Sequence, residues 1–312
     1  MSFYEFKKEI EKEMRAYMNG EVEIHTSTVQ KNNGVKMEGL IIRENGERIA
    51  PTIYLNCFYE RFLQGMEMKD VVKEIYTIYQ SCKNHPLEDA DFFTDYEQVK
   101  NRVVYKLIHR ERNQELLQDV PHIPYLDLAI VFYCIVFRQE YGNATILIHH
   151  EHMRMWNVTK EELYECASKN TPVLLPYFIK PVEEIMEEQF ERIEKKAPPH
   201  AKGHVREMMD MVNPASEQIS MYVLSNQEKL YGAAAILYPN LLKNFAIACG
   251  RDFYILPSSV HEVILVPEYD SRDLEGMSKM VKEINELEVA REEVLSDHAY
   301  YYDREEEMVL ME

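Results

Sequence analysis

The densest run of chemistry-bearing side chains in this chain is His149, His150, Glu151 and His152. Imidazole nitrogens and carboxylate oxygens are the usual ligands of zinc and manganese, and such an ion can activate water for hydrolysis. If the segment is a strand, His150 and His152 share one face and His149 and Glu151 the other. Two imidazoles on a face fall short of the three or four protein ligands of a zinc site. Glu165 or His122 would then have to be brought in by the fold. The plainer account is a polar strand end that leads into an exposed turn before Trp156. No zincin motif is present: His150-Glu151 is followed by Arg154, and His261-Glu262 by Leu265, where a second histidine is needed.

Other constellations are thinner. Pro257-Ser258-Ser259-Val260-His261-Glu262 carries hydroxyl, imidazole and carboxylate in one stretch, the groups of a hydrolytic relay. It also reads as a hairpin in which FYIL pairs with VILV and Ser258-Ser259 make the turn. Cys166 lies in LYECA at helical spacing, which suits a core position as well as a thiol nucleophile. His200 and His204 are four apart, but Pro198, Pro199 and Gly203 surround them and favour a soluble linker. The sequence has no GxGxxG, GxxxxGK or GxSxG motif, so a nucleotide on a glycine-rich turn and a nucleophile elbow are disfavoured, and no cofactor is expected.

The elements that would position these groups alternate in period. Phe3, Phe6, Ile10, Met14 and Tyr17 recur every three or four residues and predict a first helix, closed by Asn19-Gly20. Runs from Val22, Val35 and Arg48, separated by Asn-Gly turns, predict a three-stranded antiparallel meander. Two helices follow, lined by Phe58 and Phe62 and then by Val71, Val72, Ile75, Ile78 and Tyr79. Residues 102–110 read as a strand and 111–118 as a helical turn. YLDLAIVFYCIVF (125–137) reads as a buried central strand, turned at Tyr141-Gly142-Asn143 into a partner over 144–148. Thr159 with Glu162 has the spacing of a capping box. A helix over 181–196 shows an apolar stripe opposite six glutamates, with Pro181 in its first turn. Strands over 221–225 and 231–237, a helix over 239–249, strands over 252–256 and 260–266, and a helix over 271–289 complete the pattern. The tail 297–312 reads as a last edge strand.

The 312 residues carry 35 Lys and Arg against 54 Asp and Glu, a net charge of −19, with 46% apolar residues. Residues 1–120 hold 17 basic and 21 acidic side chains, and residues 121–312 hold 18 and 33. Such a surface repels nucleic-acid phosphates and anionic membranes, whereas a basic protein partner is electrostatically allowed. The glutamate-coated helix is one face for such a partner, or a nucleic-acid mimic. The 21 tyrosines and 17 methionines suit an adaptable protein contact, or packing. Five dispersed cysteines fit a reducing compartment. The first residues lack the apolar core of a secretory signal. The longest apolar run, Leu128 to Phe137, is ten residues, against about 18 for a membrane span. A soluble cytoplasmic protein is expected.

YVLSNQEKLYGAAAILYPNLLKNFA (222–246), FYILPSSVHEVILVPE (253–268), DVPHIPYLDLAIVFYCIVF (119–137) and HEHMRMWNVTKEELYECASKNTP (150–172) resemble a family of cytoplasmic proteins of anaerobic gut bacteria built on a domain of unknown function. The resemblance covers most of the chain. It implies a cytoplasmic bacterial protein and supplies no catalytic residue.

The sequence therefore predicts an α+β protein with antiparallel sheets: a lobe over 1–196, a linker over 197–218 and a lobe over 219–312. The expected function is a non-catalytic intracellular binding or regulatory protein with a protein partner. The rival is a metal-dependent hydrolase that uses His149, His150, Glu151 and His152. Both expectations turn on whether the ionisable side chains stay apart once the chain folds.

Overall fold

The computed structural model describes residues 1–18, 22–44, 50, 52–83, 90–139, 142–196, 220–269 and 272–311. Three antiparallel sheets, each with its own helices, make an α+β fold. The first unit is built from α1 (Phe3–Met18), the meander β1 (Val22–Gln30), β2 (Lys36–Glu44) and β3 (Thr52–Tyr54), then α2 (Asn56–Leu63) and α3 (Met68–Lys83). The stripe Phe6, Ile10 and Met14 of α1 closes over Ile24, Leu40 and Ile42 of the sheet, with Val71, Ile75 and Tyr79 of α3 alongside. Tyr17, counted with that stripe by period, is exposed. The β1–β2 turn is a 3-10 turn, Asn32–Gly34, in which Asn33 takes the left-handed conformation at φ 58°.

The second sheet follows α4 (Tyr96–Val99). It holds β4 (Val103–His109), β5 (His122–Tyr125), β6 (Leu128–Gln139) and β7 (Gly142–Leu147), with α5 (Leu116–Asp119) between β4 and β5. The long apolar β6 is central as its composition predicts. One edge pairs with β4; the other pairs with β5 along its first half and β7 along its second. Tyr125 belongs to β5 rather than to the central strand, because Leu126 at φ 53° turns the chain between them. Next come α6 (His150–Trp156) and α7 (Lys160–Leu174). The α7 start is the predicted capping box: Glu162 accepts the Thr159 N–H at 2.7 Å and Thr159 Oγ1 accepts the Glu162 N–H at 3.2 Å.

The third sheet is ordered β13-β12-β10-β11-β9-β8. Its strands are β8 (Tyr177–Pro181), β9 (Tyr222–Asn226), β10 (Phe253–Ser259), β11 (Glu262–Pro267), β12 (Tyr300–Asp303) and β13 (Met308–Leu310). Three helices accompany it: α8 (Val182–Lys196), α9 (Leu241–Cys249) and α10 (Leu274–Glu288). Pro181 ends β8 and lies just before α8 rather than within its first turn. The expected linker lies outside the described residues. On either side of it β8 and β9 pair residue for residue, and one apolar core runs from Phe132 and Leu163 to Leu224, Phe253 and Tyr300.

Two expectations are corrected in this sheet. Residues 232–237 form a buried 3-10 turn instead of a strand. Gly232, Ala233, Ala234 and Ala235 are small enough to let the backbone press against β9. A Cβ on Gly232 would collide with Ser225 Oγ and the His261 carbonyl. The β10–β11 turn is Val260-His261 rather than Ser258-Ser259. An irregular register after Leu256 carries the serines into the strand, where Ser259 Oγ accepts the His261 N–H at 3.0 Å. Within the tail, β12 is interior and only β13 is an edge.

Candidate functional site

The histidine run is not a strand. His149 precedes α6, and His150, Glu151 and His152 form its first turn. His152 folds back so that its Nδ1 accepts the His149 N–H at 3.0 Å, a capping bond at the helix start. Its ring packs edge-on to Phe93 at 5.0 Å and beside Trp156 at 5.7 Å. Burial, with His149 adding to it, holds the His152 imidazole below its ordinary pKa against the pull of Glu151. One of its two ring nitrogens is thus engaged in backbone capping. Glu165 pairs instead with Lys169, and His122 Nδ1 lies 3.2 Å from the Val120 carbonyl. Among the described residues no three His, Cys, Asp or Glu side chains are placed to share an ion.

Cys57, Cys134, Cys166 and Cys249 are free thiols. Burial pushes the Cys134 thiol up to about 12, and Cys166 receives a hydrogen bond from Tyr96 Oη at 3.3 Å rather than from an imidazole. The Pro257–Glu262 stretch does not assemble a relay either. The Nδ1 of His261 lies within reach of the Tyr231 N–H and the Lys229 carbonyl, and its Nε2 is 3.9 Å from Glu293.

Ionisable groups nevertheless converge elsewhere, which corrects the expectation that they remain apart. Asp127, in the β5–β6 turn, accepts hydrogen bonds from Ser296 Oγ and from Tyr300 Oη, both at 2.6 Å. Ser296 and Tyr300 are fully buried. His109 Nε2, at the end of β4, lies 3.8 Å from the same carboxylate, beyond hydrogen-bond range. Burial keeps His109 below its ordinary pKa even though Asp127 pulls it up. Tyr300 stands well above its ordinary value, first from burial and then from the adjacent Asp127 charge. Around this carboxylate runs an amide frame. Asn113 Nδ2 donates to the His109 carbonyl and to Asn33 Oδ1, and Asn113 Oδ1 accepts the Asn33 N–H. Asn33 Nδ2 donates to the Arg291 and Val294 carbonyls at 2.8 and 2.7 Å. Arg112 pairs with Asp297, and Asn285 Nδ2 donates to the Ser296 carbonyl.

The residues are those of a Ser–His–Asp relay in the wrong order. Nucleophilic activation needs the serine hydroxyl on the imidazole, but here Ser296 donates to the acid and reaches no solvent. The node holds the meander turn, the ends of the second sheet and residues 291–300 together. Little in the sequence marked it, because Asn33, Asn113, Asp127 and Ser296 are far apart and each sits in an ordinary turn pattern. The Asn32-Asn33-Gly34 turn was the one visible trace.

A second cluster lies against the middle of β4, at Lys106. Tyr231 precedes the buried 3-10 turn in a left-handed conformation, φ 52°, two residues after Lys229 at φ 50°. Its ring stacks on His261 at 5.5 Å and meets Tyr133 edge-on at 5.2 Å. Lys106 Nζ sits 4.1 Å from the Tyr231 centroid and 6.0 Å from that of Tyr133. The Lys106 charge and, at longer range, that of Lys31 lower the Tyr231 pKa against the effect of burial.

Fold and sites together define an α+β protein of three antiparallel sheets whose partly buried Asp127 carboxylate is engaged by two hydroxyl partners. The chain belongs to DUF5688, a family of unknown function, whose family model matches residues 3–304. No curated protein and no solved structure matches it. No helix among the described residues is long and apolar enough to cross a membrane.

Proposed function

We propose that this protein is a non-catalytic binding or regulatory protein of the bacterial cytoplasm that engages a basic protein partner. The observation that carries this reading is the Asp127 node. Where the fold gathers an acid, an imidazole and hydroxyls, the hydroxyls are spent on the acid and the imidazole accepts the Arg112 N–H, so neither Ser296 nor Tyr300 is set on His109 as an activated nucleophile. Free thiols accord with a reducing compartment. The partner's charge follows from α8, whose outer side presents exposed Glu184, Glu187, Glu188 and Glu191 beside the edge strand β8. Lys180 pairs with Glu184 and Glu188 of this face.

The test is capture with the intact protein as bait at low and high salt, beside a Glu187→Lys/Glu191→Lys variant and a Glu286→Lys control on α10. One stoichiometric basic partner, weakened by salt and lost only in the α8 variant, is expected. Capture indifferent to both salt and the α8 charges overturns the reading, as does hydrolytic turnover that Asp127→Asn abolishes.

A further inference from the structure

Lys106 is unusual in its position. It lies in the middle of β4, opposite Val131 of β6, which in turn faces His122 of β5. Its neighbours on that sheet face are apolar: Val104, Tyr133 and Ile135 on one side, Ile108, Ala129 and Val131 on the other. A half-buried ammonium normally takes a carboxylate partner. The chain has 54 acidic side chains, yet among the described residues none forms an ion pair with Lys106. Its contacts are the rings of Tyr133 and Tyr231. Lys31, which also bears electrostatically on Tyr231, likewise lies over a ring, that of Tyr54 at 3.8 Å. The surrounding backbone is rigidly made. Asn226 clamps Leu230 from both sides, its Oδ1 accepting the N–H and its Nδ2 donating to the carbonyl. Tyr231 N–H is anchored on His261 Nδ1, and Gly232 is pressed against Ser225 and His261. Left-handed backbone at Lys229 and Tyr231, on either side of Leu230, is a conformation that clusters where a loop is shaped for a ligand.

We propose that Lys106 Nζ and the Tyr231 hydroxyl, held between Tyr133 and His261, form a binding site for a small oxyanion, the phosphate or carboxylate group of a ligand. The ammonium supplies charge and donors without an internal carboxylate to compete. The phenol supplies a further donor, and the rings exclude water from one side. His261 is partly exposed and gives the approach, with Glu293 at its outer edge, 3.9 Å from Nε2, disfavouring ligands of high negative charge.

The test uses the full chain with inorganic phosphate and with acetate as probes, by titration calorimetry. Saturable binding of at least one is expected, and which of the two binds more tightly identifies the oxyanion. Lys106→Gln should weaken it at least about tenfold and Lys106→Arg should retain it. Lys243→Gln, which removes the partner of Glu307 far along the chain, should leave it unchanged. Independently of any variant that fails to fold, the ligand should suppress the ionisation of Tyr231, read as the phenolate difference spectrum between wild type and Tyr231→Phe, because a bound anion offsets the lysine charge that favours the phenolate. Binding that Lys106→Gln leaves intact, no binding of either probe, or a Tyr231 titration unmoved by the ligand overturns the proposal. Partner capture through α8 does not involve Lys106, so the two readings stand or fall separately.

Discussion

Replacing Asp127 by alanine is the sharpest probe of the node. The carboxylate accepts two hydroxyl bonds at 2.6 Å, from donors with no access to water. Deleting it orphans both, at about 1–3 kcal/mol for each buried donor, hence about 2–6 kcal/mol in all. At about 2 °C per kcal/mol for a chain of this size, the unfolding midpoint should fall by roughly 4–12 °C. The sign of a second change separates this account from simple loss of packing. Asp127→Ala/Tyr300→Phe removes one of the two stranded hydroxyls together with its acceptor, so it should be more stable than Asp127→Ala alone by about 1–3 kcal/mol. Urea unfolding at a constant slope measures both. A single variant within about 1 kcal/mol of wild type, or a double variant that adds the full cost of Tyr300→Phe, refutes the reasoning.

Four further outcomes are expected. Asn33→Ala should cost about 3–5 kcal/mol in the same assay, since it combines left-handed strain with three lost side-chain hydrogen bonds, and Asn33→Gly should recover only the strain. Gly232→Ala should destabilise by about 1–3 kcal/mol, because the added methyl meets a backbone carbonyl that cannot move aside. His109 and His152 both have folded pKa values below the ordinary 6.5, so the unfolded chain takes up protons first and stability should fall as pH drops through 6.5. His152→Gln should flatten that decline in the urea midpoint. His152→Ala should lower the thermal midpoint through the lost cap and ring contacts, while chelation of the wild type should leave that midpoint unchanged.

Periodic elements were legible in the sequence: the α1 stripe, the meander, the central β6 and the capped start of α7 follow from spacing that encodes which face is buried. What escaped was set by contacts between distant segments. Residues 231–237 carry strand-like composition, yet the backbone contact at Gly232 makes them a 3-10 turn. His149 to His152 contain no helix stop, but only the fold shows that His152 turns back to cap its own helix. The Asp127 node could not be read at all from spacing, because its partners come from residues 33, 109, 113, 296 and 300. Lys106 was hidden for the opposite reason: one lysine in an apolar strand looks like a surface position until the sheet face around it is known.

The amide grip of Asn33 on residues 291 and 294 spans about 260 positions of chain. During synthesis the first unit can bury its own core as soon as α3 emerges and its hairpin tip can meet Asn113 soon after, but Asn33 Nδ2 lacks its two carbonyl acceptors until residues 291 and 294 leave the ribosome. A nascent chain arrested before residue 291 would carry an early unit already packed, with the two donors of Asn33 Nδ2 bare. Proteolysis of such arrested chains should cut on either side of that unit, and release of the final segment should silence both cuts at once.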